Sequence, residues 1–215
     1  MNLSSRLERL NSDMIVFSWL SKILDYPGEE LIESLLSDGL LENLDSPEAG
    51  ELEKYMRSFT SPDELLLELQ KDYTRLCFVS KPRLVPLFES VYKEGKLYQD
   101  STFDIARLYD EAGLRLDEEF KLPPDHITIE LEFMSYLIYQ EIEAISSGNK
   151  ENEELAVRLQ KETIMNHLGD FGLQFADKLY EHAHTPFFKS VAGILREFLE
   201  SEMEHYSNWG EEHGA

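Results

Sequence analysis

Residues 122–146, LPPDHITIELEFMSYLIYQEIEAIS, decide the fold class of this chain. The two prolines predict a rigid entry into a helix that runs from about Pro124 to Ser146. One apolar stripe of this helix contains Ile127, Leu131, Met134, Ile138, Ile142 and Ile145. A second apolar face contains Ile129, Phe133 and Tyr136. Because a helix with two apolar faces is buried on both sides, the pattern predicts a helix at the centre of a bundle.

Helical periodicity and helix-start signals continue on both sides of this stretch. Ser61 is predicted to cap a helix that runs to about Phe78, and Glu64 completes a capping box at its start. Ser101 is predicted to cap another helix, which stops at Gly113. No alternating strand pattern is present. The sequence therefore predicts an all-α, single-domain helical bundle of about ten helices over residues 1–207, followed by a frayed C-terminal tail at 208–215.

The composition limits the partners of the chain. Its 215 residues are 42% hydrophobic, which is enough for a substantial core, and 43 acidic residues against 20 basic ones give a net charge of -23. A nucleic-acid surface needs Lys and Arg to neutralise phosphates, so this charge argues against nucleic-acid binding. It favours a basic partner and repels an anionic membrane. The alternative is that the acidity only keeps the protein soluble.

Cysteine content and hydropathy indicate the compartment. Cys77 is the only cysteine, which excludes an internal disulfide and a cysteine-based zinc cluster and fits a reducing compartment. The apolar run from Met14 to Leu20 is short and follows Glu8 and Asp13, unlike a signal peptide. No stretch approaches the ~18 apolar residues that span a bilayer. We expect a soluble, cytoplasmic protein without stable membrane insertion.

Few residues suggest catalysis. The sequence contains no glycine-rich phosphate loop and no GxSxG motif. His126 and Glu130 lie one turn apart, and Glu202 with His205 forms the only Glu-x-x-His motif, whereas a di-iron bundle needs two. We therefore expect no metal and no cofactor. A small helical metal- or nucleotide-dependent hydrolase that uses His126 and Glu130 remains an alternative.

Asp125 and His126 lie in the predicted first turn of the central helix, directly after the two prolines. An Asp at this place satisfies free amides and the helix dipole, which gives the pair a purely structural explanation. Catalysis by an Asp–His pair would need a nucleophile or a metal, and the sequence offers neither.

Large apolar residues surround a stiff loop in the first half of the chain. Tyr73 and Leu76 precede this loop, and Phe88 and Tyr92 follow it, while Pro86 stiffens it. The pattern fits either a core helix with a packed loop or one wall of an apolar groove. Spacing alone does not separate the two.

Three segments resemble the TorD/DmsD/NarJ family of redox-enzyme maturation chaperones. They are Asp72-Tyr-Thr-Arg-Leu76, Pro86-Leu-Phe-Glu-Ser-Val-Tyr92 and, most specifically, Leu122-Pro-Pro-Asp-His-Ile-Thr-Ile-Glu-Leu-Glu-Phe-Met134. A weaker similarity to the family pattern is His167-Leu, followed by Phe171 and Phe175. The chain departs from the family pattern at Cys77, where phenylalanine is common, and at Phe88, which lacks the hydroxyl of the commoner tyrosine.

The resemblance implies a TorD-like helical chaperone and not an enzyme. Such a chaperone binds the N-terminal leader of the apo form of a molybdoenzyme catalytic subunit, either a twin-arginine signal or a remnant leader. It then assists cofactor insertion and assembly before export or membrane docking. A helical assembly subunit without leader specificity is the further alternative. Family members have been linked to guanine nucleotides, but no phosphate loop supports this here.

The resemblance also implies which residues bind the leader. Asp125 and His126 match the pair tied to leader binding. The neighbouring groove positions are Tyr73, Leu76, Pro86, Phe88, Glu89 and Tyr92. The family includes monomers and domain-swapped homodimers, and 81–88 and 121–124 are the predicted hinges.

Overall fold

The computed structural model describes residues 2–37, 46–79, 81–115 and 122–213, with the backbone alone for 209–213. The secondary structure in these ranges is helical, apart from one isolated bridge between Phe88 and His126. The all-α prediction is confirmed. The α-helices are α1 (Leu3–Ile23), α2 (Glu29–Ser37), α3 (Pro47–Met56), α4 (Pro62–Thr74), α5 (Glu89–Lys93), α6 (Asp100–Glu111), α7 (Ile127–Ser147), α8 (Lys150–Thr163), α9 (Gly169–His182) and α10 (Pro186–His213). Two π-helical turns, π1 (Arg75–Val79) and π2 (Ile164–Leu168), continue α4 and α8.

The chain divides into two compact units, each assembled from separate segments. The first unit contains residues 1–21, 88–171 and 202–215, and the second contains residues 22–87 and 172–201. This division does not test the prediction of a single domain over residues 1–207, which remains a prediction. The predicted tail from residue 208 also remains a prediction, since the backbone of α10 is helical to His213. No described helix has an apolar stretch that would cross a bilayer.

In the first unit, α7 carries the main apolar stripe predicted for it. Ile127, Leu131, Met134 and Ile138 are buried, and Phe133 on the second face is only 3% exposed. Ile142 and Ile145 are half-buried. Ile129 and Tyr136 are half-buried as well, because they line an open cavity of about 230 Å³. Burial is therefore less complete than the two apolar faces predict.

The start of α7 differs from the prediction. The helix begins at Ile127 rather than Pro124, and His126 is its N-cap, with an extended backbone at φ -80° and ψ 137°. Asp125 and His126 therefore precede the first turn instead of lying in it. Residues before and at the prolines favour extended conformations, which delays the helix. The helix ends at Gly148, whose φ of 69° lies in the left-handed region.

The second unit confirms the strongest helix-start signals. The hydroxyl of Ser61 accepts a hydrogen bond from the Glu64 N–H at 3.2 Å, and Ser46 caps α3 in the same way. α10 begins at Pro186, and a proline at the first position of a helix removes no intrahelical hydrogen bond. The core of this unit includes Leu65, Leu69, Phe187, Phe188, Val191 and Leu195, all at most 2% exposed.

One predicted cap is wrong. α6 begins at Asp100, and its N-cap is Gln99, so Ser101 lies inside the helix. The Glu94 carboxylate accepts hydrogen bonds from both the Ser101 N–H, at 3.2 Å, and the Ser101 hydroxyl, at 3.0 Å. A carboxylate from outside the helix thus satisfies the free amide, and the serine hydroxyl serves as a donor instead of a cap.

Candidate functional site

The second and third sequence motifs meet in the first unit. The Glu89 N–H donates to the Asp125 carbonyl oxygen at 2.9 Å, and the Ser90 N–H donates to Asp125 Oδ2, also at 2.9 Å. The Phe88 and His126 rings lie edge to face with their centroids 5.1 Å apart. Phe88, Glu89, Asp125 and His126, all predicted site residues, are therefore neighbours.

Asp125 caps a helix, but a different one from the helix that the sequence suggests. Phe88 is the N-cap residue of α5 and offers no side-chain acceptor. Asp125 supplies the missing acceptor for the Ser90 amide from the loop before α7. The side chain of Asp125 is fully buried. The expectation that Asp125 satisfies amides of its own helix is thus corrected: it joins that helix's entry loop to α5.

His126 is buried as well, with 3% of its surface exposed. Its Nδ1 lies 2.8 Å from the Thr128 hydroxyl and accepts from the Thr128 N–H at 3.3 Å. The ring therefore caps α7 and packs on Phe88 at the same time. It does not present a free imidazole to a ligand.

Glu89 is the centre of a buried charge network. Its carboxylate lies 3.0 Å from His167 Nδ1 and 2.5 Å from Lys93 Nζ, and its side chain is fully buried. Lys93 also donates to the Asn166 carbonyl oxygen at 2.5 Å. His167 lies in π2, and π-helical turns frequently occur at functional sites. The sequence indicated His167 only through the weaker similarity to the family pattern.

Glu130 is the most unusual residue of this region. It is fully buried, and neither carboxyl oxygen has a hydrogen-bond partner among the described residues. Burial raises the pKa of Glu130 well above its ordinary value, and the Glu89 and Asp125 carboxylates raise it further. From the sequence, Glu130 is only a possible partner of His126, one helical turn away. Its position on the stripe of Ile127 and Met134 was the signal that it is buried.

The first motif lies in the second unit, where its large residues form a floor rather than a surface. Tyr73 is 4% exposed, and its hydroxyl donates to the Leu24 carbonyl oxygen at 3.1 Å. Leu76 is fully buried, and its carbonyl oxygen accepts from the Val85 N–H at 3.1 Å. Burial raises the pKa of Tyr73, so its hydroxyl stays neutral. Pro86 is half-buried.

Exposed aromatic rings cover this floor. Tyr26 and Phe78 are each 47% exposed, and each ring centroid lies 5.7 Å from that of Tyr73. Val79, beside Phe78, is 68% exposed. We call Tyr26, Phe78 and Val79 the aromatic surface. Its edge carries the guanidinium of Arg83, 6.0 Å from the Phe78 ring centroid.

Tyr26 is not among the predicted site residues. It lies in Asp25-Tyr-Pro-Gly28, just after the end of α1 at Ile23. A tyrosine directly before a proline lies where the chain leaves a helix, which places it near the surface. That position, together with Phe78 beyond the first motif, was the available signal.

Asp72 of the first motif anchors the start of α10. Its Oδ2 accepts from the His184 N–H at 2.9 Å, the Thr185 N–H at 2.7 Å and the Thr185 hydroxyl at 2.9 Å. Arg75 pairs with Oδ1 at 2.7 Å. Burial opposes ionisation of Asp72, but the hydrogen bonds from Thr185 and Arg75 prevail and lower its pKa.

The predicted site residues thus fall into two groups. Phe88, Glu89, Tyr92, Asp125 and His126 belong to the first unit, where the half-buried Tyr92 packs on Phe171 with ring centroids 5.2 Å apart. The other three, namely Tyr73, Leu76 and Pro86, belong to the second unit. It remains a prediction that the residues of both groups line one groove. Within the described ranges, no group of His, Cys, Asp and Glu is arranged to hold a metal ion.

Comparison with known proteins identifies the family. Residues 42–177 match the model of the nitrate reductase delta subunit family, which is more than half of the chain. The chain belongs to this family. The predicted membership of the TorD/DmsD/NarJ group is confirmed, and with it the coarser prediction of a redox-enzyme maturation chaperone rather than an enzyme.

Family relatives cover most of the chain. The TorD chaperone of Photobacterium profundum is 25% identical over 198 residues, which span 86% of this chain and 89% of that protein. The TorD chaperone of Vibrio parahaemolyticus is 28% identical over 182 residues, or 84% and 83% of the two chains. A crystal structure described as a redox enzyme maturation protein of Archaeoglobus fulgidus superposes with a TM-score of 0.55. It is 24% identical and spans 87% of this chain and 93% of that one, which supports the fold.

Proposed function

We propose that this chain binds the N-terminal leader of a molybdoenzyme catalytic subunit in the cytoplasm. It keeps the apo subunit from premature export or membrane docking while the cofactor is inserted. Membership of the family and the TorD chaperones among its relatives support this proposal. A twin-arginine or remnant leader combines a basic front with an apolar segment, so its receptor needs an apolar surface and an excess of acids.

The aromatic surface is the observation that carries the proposal. Tyr26, Phe78 and Val79 stand exposed on a rigid floor, since the Tyr73 hydroxyl is fixed to the Leu24 carbonyl oxygen. A cluster of exposed large apolar side chains on a soluble protein marks an interaction site. The apolar segment of a leader fits this surface, and the net charge of -23 complements the arginines before that segment.

Typical contributions to the free energy of binding indicate which part of the leader holds it in place. Each apolar side chain that is buried on binding contributes ~1.5–3 kcal/mol. Exposed ion pairs add only ~0.2–1 kcal/mol each. Ordering a flexible peptide costs ~2–5 kcal/mol. Apolar contacts therefore hold the leader, while the acidic residues set its orientation and association rate.

The buried Asp125–His126 pair is assigned a supporting part in this proposal. Asp125 Oδ2 and His126 Nδ1 are engaged within the protein, with the Ser90 amide and Thr128 respectively. The pair holds α5 against the entry of α7, and Asp125 Oδ1 is the atom left for a leader group. Glu89 and Tyr92 both lie in α5, so their positions depend on this contact between α5 and the loop that precedes α7.

The test is a titration with a synthetic peptide that has an arginine pair followed by a leucine- and alanine-rich segment. We expect the double variant Tyr26→Ser, Phe78→Ser to bind at least about tenfold more weakly, because two apolar anchors are lost. Leu67→Ser is the matched control, since Leu67 is 51% exposed but takes no part in the ring cluster. The variants are compared by calorimetry, with circular dichroism to check folding.

Two results would count against the proposal. A folded double variant that binds the peptide as tightly as the parent chain removes the aromatic surface from the binding site. A parent chain that binds equally well to a peptide with glutamine in place of both arginines is an assembly subunit without leader specificity.

A further inference from the structure

Two buried acidic residues near the start of α7, Asp125 and Glu130, have carboxyl oxygens without hydrogen-bond partners among the described residues. Both oxygens of Glu130 and Oδ1 of Asp125 are buried and lack hydrogen-bond partners among the described residues. Buried polar atoms are nearly always paired, because an unpaired one costs about 1–3 kcal/mol. Three such oxygens in two neighbouring side chains indicate a place built for a group that the free chain does not supply.

The charges around Glu130 specify that group. The charges of Glu89 in α5 and of Asp125 in the entry loop raise the pKa of Glu130 further, whereas Lys93 in α5 lowers it. Glu130 in turn raises the pKa of Tyr109 in α6. Lys93 is the only cation among these neighbours, and its ammonium lies against Glu89. Three carboxyl groups against one lysine leave a deficit of positive charge. A buried cation with several N–H donors would satisfy both the charges and the unpaired oxygens.

His167 is the remaining titratable group of the cluster. It contacts Glu89 from π2 through Nδ1 and is buried with 6% of its surface exposed. A protonated His167 would share Glu89 with Lys93 and would leave Glu130 unpaired. A test must therefore distinguish the proton of Glu130 from a proton on His167.

Solvent approaches the cluster at Lys93. The side chain of this residue is 29% exposed, whereas that of Glu89 is fully buried. Its four-carbon stem is flexible, so the ammonium is able to move aside without a change in the backbone. Solvent therefore reaches the acid cluster at Lys93, which is the cation that the cluster already contains.

We propose that Glu130 and Asp125 Oδ1 form the receiving site for one guanidinium of the client leader, and that Glu130 releases its proton to solvent as the guanidinium binds. The inference rests on the leader binding proposed above. In the free chain the raised pKa of Glu130, caused first by its burial, favours the neutral carboxyl. The complex contains an ionised carboxylate paired with the arginine, so the net charge of the cluster is the same in both states.

Proton release gives the inference a signature that leader binding alone does not have. Because the complex holds fewer protons than the free partners, affinity for the arginine peptide rises with pH. One released proton corresponds to about a tenfold tighter Kd for each pH unit. The enthalpy of binding also depends on the ionisation enthalpy of the buffer.

The experiment is calorimetric titration of the full chain with the arginine-pair peptide, in phosphate and in Tris, from pH 6 to pH 8. We expect the parent chain to release about one proton per peptide and the Glu130→Gln variant to release none. Glu132→Gln is the matched control, because Glu132 is exposed on the same helix, and it should behave like the parent chain. His167→Gln should retain the release.

Each outcome decides the question. Peptide binding without proton release in the parent chain overturns this inference and leaves the proposed function intact. Loss of the release in His167→Gln together with its retention in Glu130→Gln overturns it too. If Glu130→Gln does not fold, the proton count of the parent chain, compared between the arginine peptide and its glutamine analogue, decides instead. A parent chain that binds no peptide at all contradicts the proposed function itself.

Discussion

The backbone N–H of Glu89 donates to the carbonyl oxygen of Asp125 at 2.9 Å, and this bond joins the second motif to the third. The adjacent Ser90 amide is bound by the Asp125 carboxylate. Two segments far apart in the chain thus satisfy one another's polar groups inside the protein. Residues that the family resemblance associates with leader binding therefore also hold the first unit together.

Removal of the Asp125 carboxylate should destabilise the chain. Asp125→Ala leaves the buried Ser90 N–H without an acceptor, which costs about 1–3 kcal/mol in the free energy of unfolding. Asp125→Asn retains an acceptor oxygen and should lose less. Urea unfolding measures both variants. Equal stability of the alanine variant and the parent chain would contradict this role of Asp125.

Asp72→Ala should destabilise the second unit by about 3 kcal/mol at neutral pH, because a buried carboxylate with four hydrogen-bonded partners is lost. Hydrogen bonds lower the pKa of Asp72 in the folded chain despite its burial. The folded state then binds fewer protons than the unfolded state, whose Asp pKa is ~3.9. The ionic part of this stabilisation is present above about pH 4 and is lost as the pH falls through the folded pKa.

Urea unfolding of the parent chain and Asp72→Ala between pH 7 and pH 3 tests this. We expect the stability difference to shrink at the acidic end. Asp63→Ala is a suitable control, because Asp63 is exposed on the same helix. A difference that does not change with pH would show that the charge of Asp72 contributes nothing.

Glu202 should make the first unit less stable as the pH rises. Burial, with a further contribution from Asp13, raises its pKa to about 7, although Arg9 opposes the shift. The folded state therefore binds more protons than the unfolded state, whose Glu pKa is ~4.3. The free energy of unfolding therefore falls as the pH rises from ~4.3 to about 7. By ~1.4 kcal/mol per pKa unit, Glu202→Gln should gain roughly 3 kcal/mol on the parent chain between pH 4 and pH 8.

The measurement is urea unfolding of both chains across that range. Glu204→Gln serves as the control, since Glu204 is exposed on the same helix. A stability difference between Glu202→Gln and the parent chain that stays constant with pH would contradict the raised pKa.

The same substitution should have opposite effects at two glycines. Gly148 ends α7 with a φ of 69°, so Gly148→Ala forces a left-handed alanine and costs about 1 kcal/mol. Gly50 lies within α3 with no atom near its missing Cβ, so Gly50→Ala should stabilise the chain by about 0.5–1 kcal/mol. Thermal unfolding should place the two midpoints on opposite sides of the parent value. Shifts in the same direction would contradict the helix-end role of Gly148.

Local signals predicted most helices correctly, because periodicity and caps act within a few residues. Ser61 and Thr185-Pro186 are examples in which the start of a helix follows from its own sequence. Ser101 failed as a cap because Glu94, from outside the helix, satisfies its amide. The π-helical turns were also missed, since they continue α4 and α8 without any break in the apolar pattern.

The candidate site was harder to predict than the helices. Sequence motifs identified Asp125 and Tyr73, but burial depends on what distant segments cover, and both residues are buried. The groove prediction, which remains a prediction, includes the buried Tyr73 and Leu76 of the second unit and does not include the exposed Tyr26. The unpaired oxygens of Glu130 became visible only once the surroundings of each atom were known.

The interleaved segments of the two units constrain how the chain matures on the ribosome. The first unit needs residues 202 onward, among them Tyr206, whose hydroxyl donates to the Gln160 side chain at 2.6 Å. Until that last stretch leaves the exit tunnel, the earlier parts of this unit lack a buried partner. The nascent polypeptide consequently completes the folding of this unit only after its residues from 202 onward have left the tunnel.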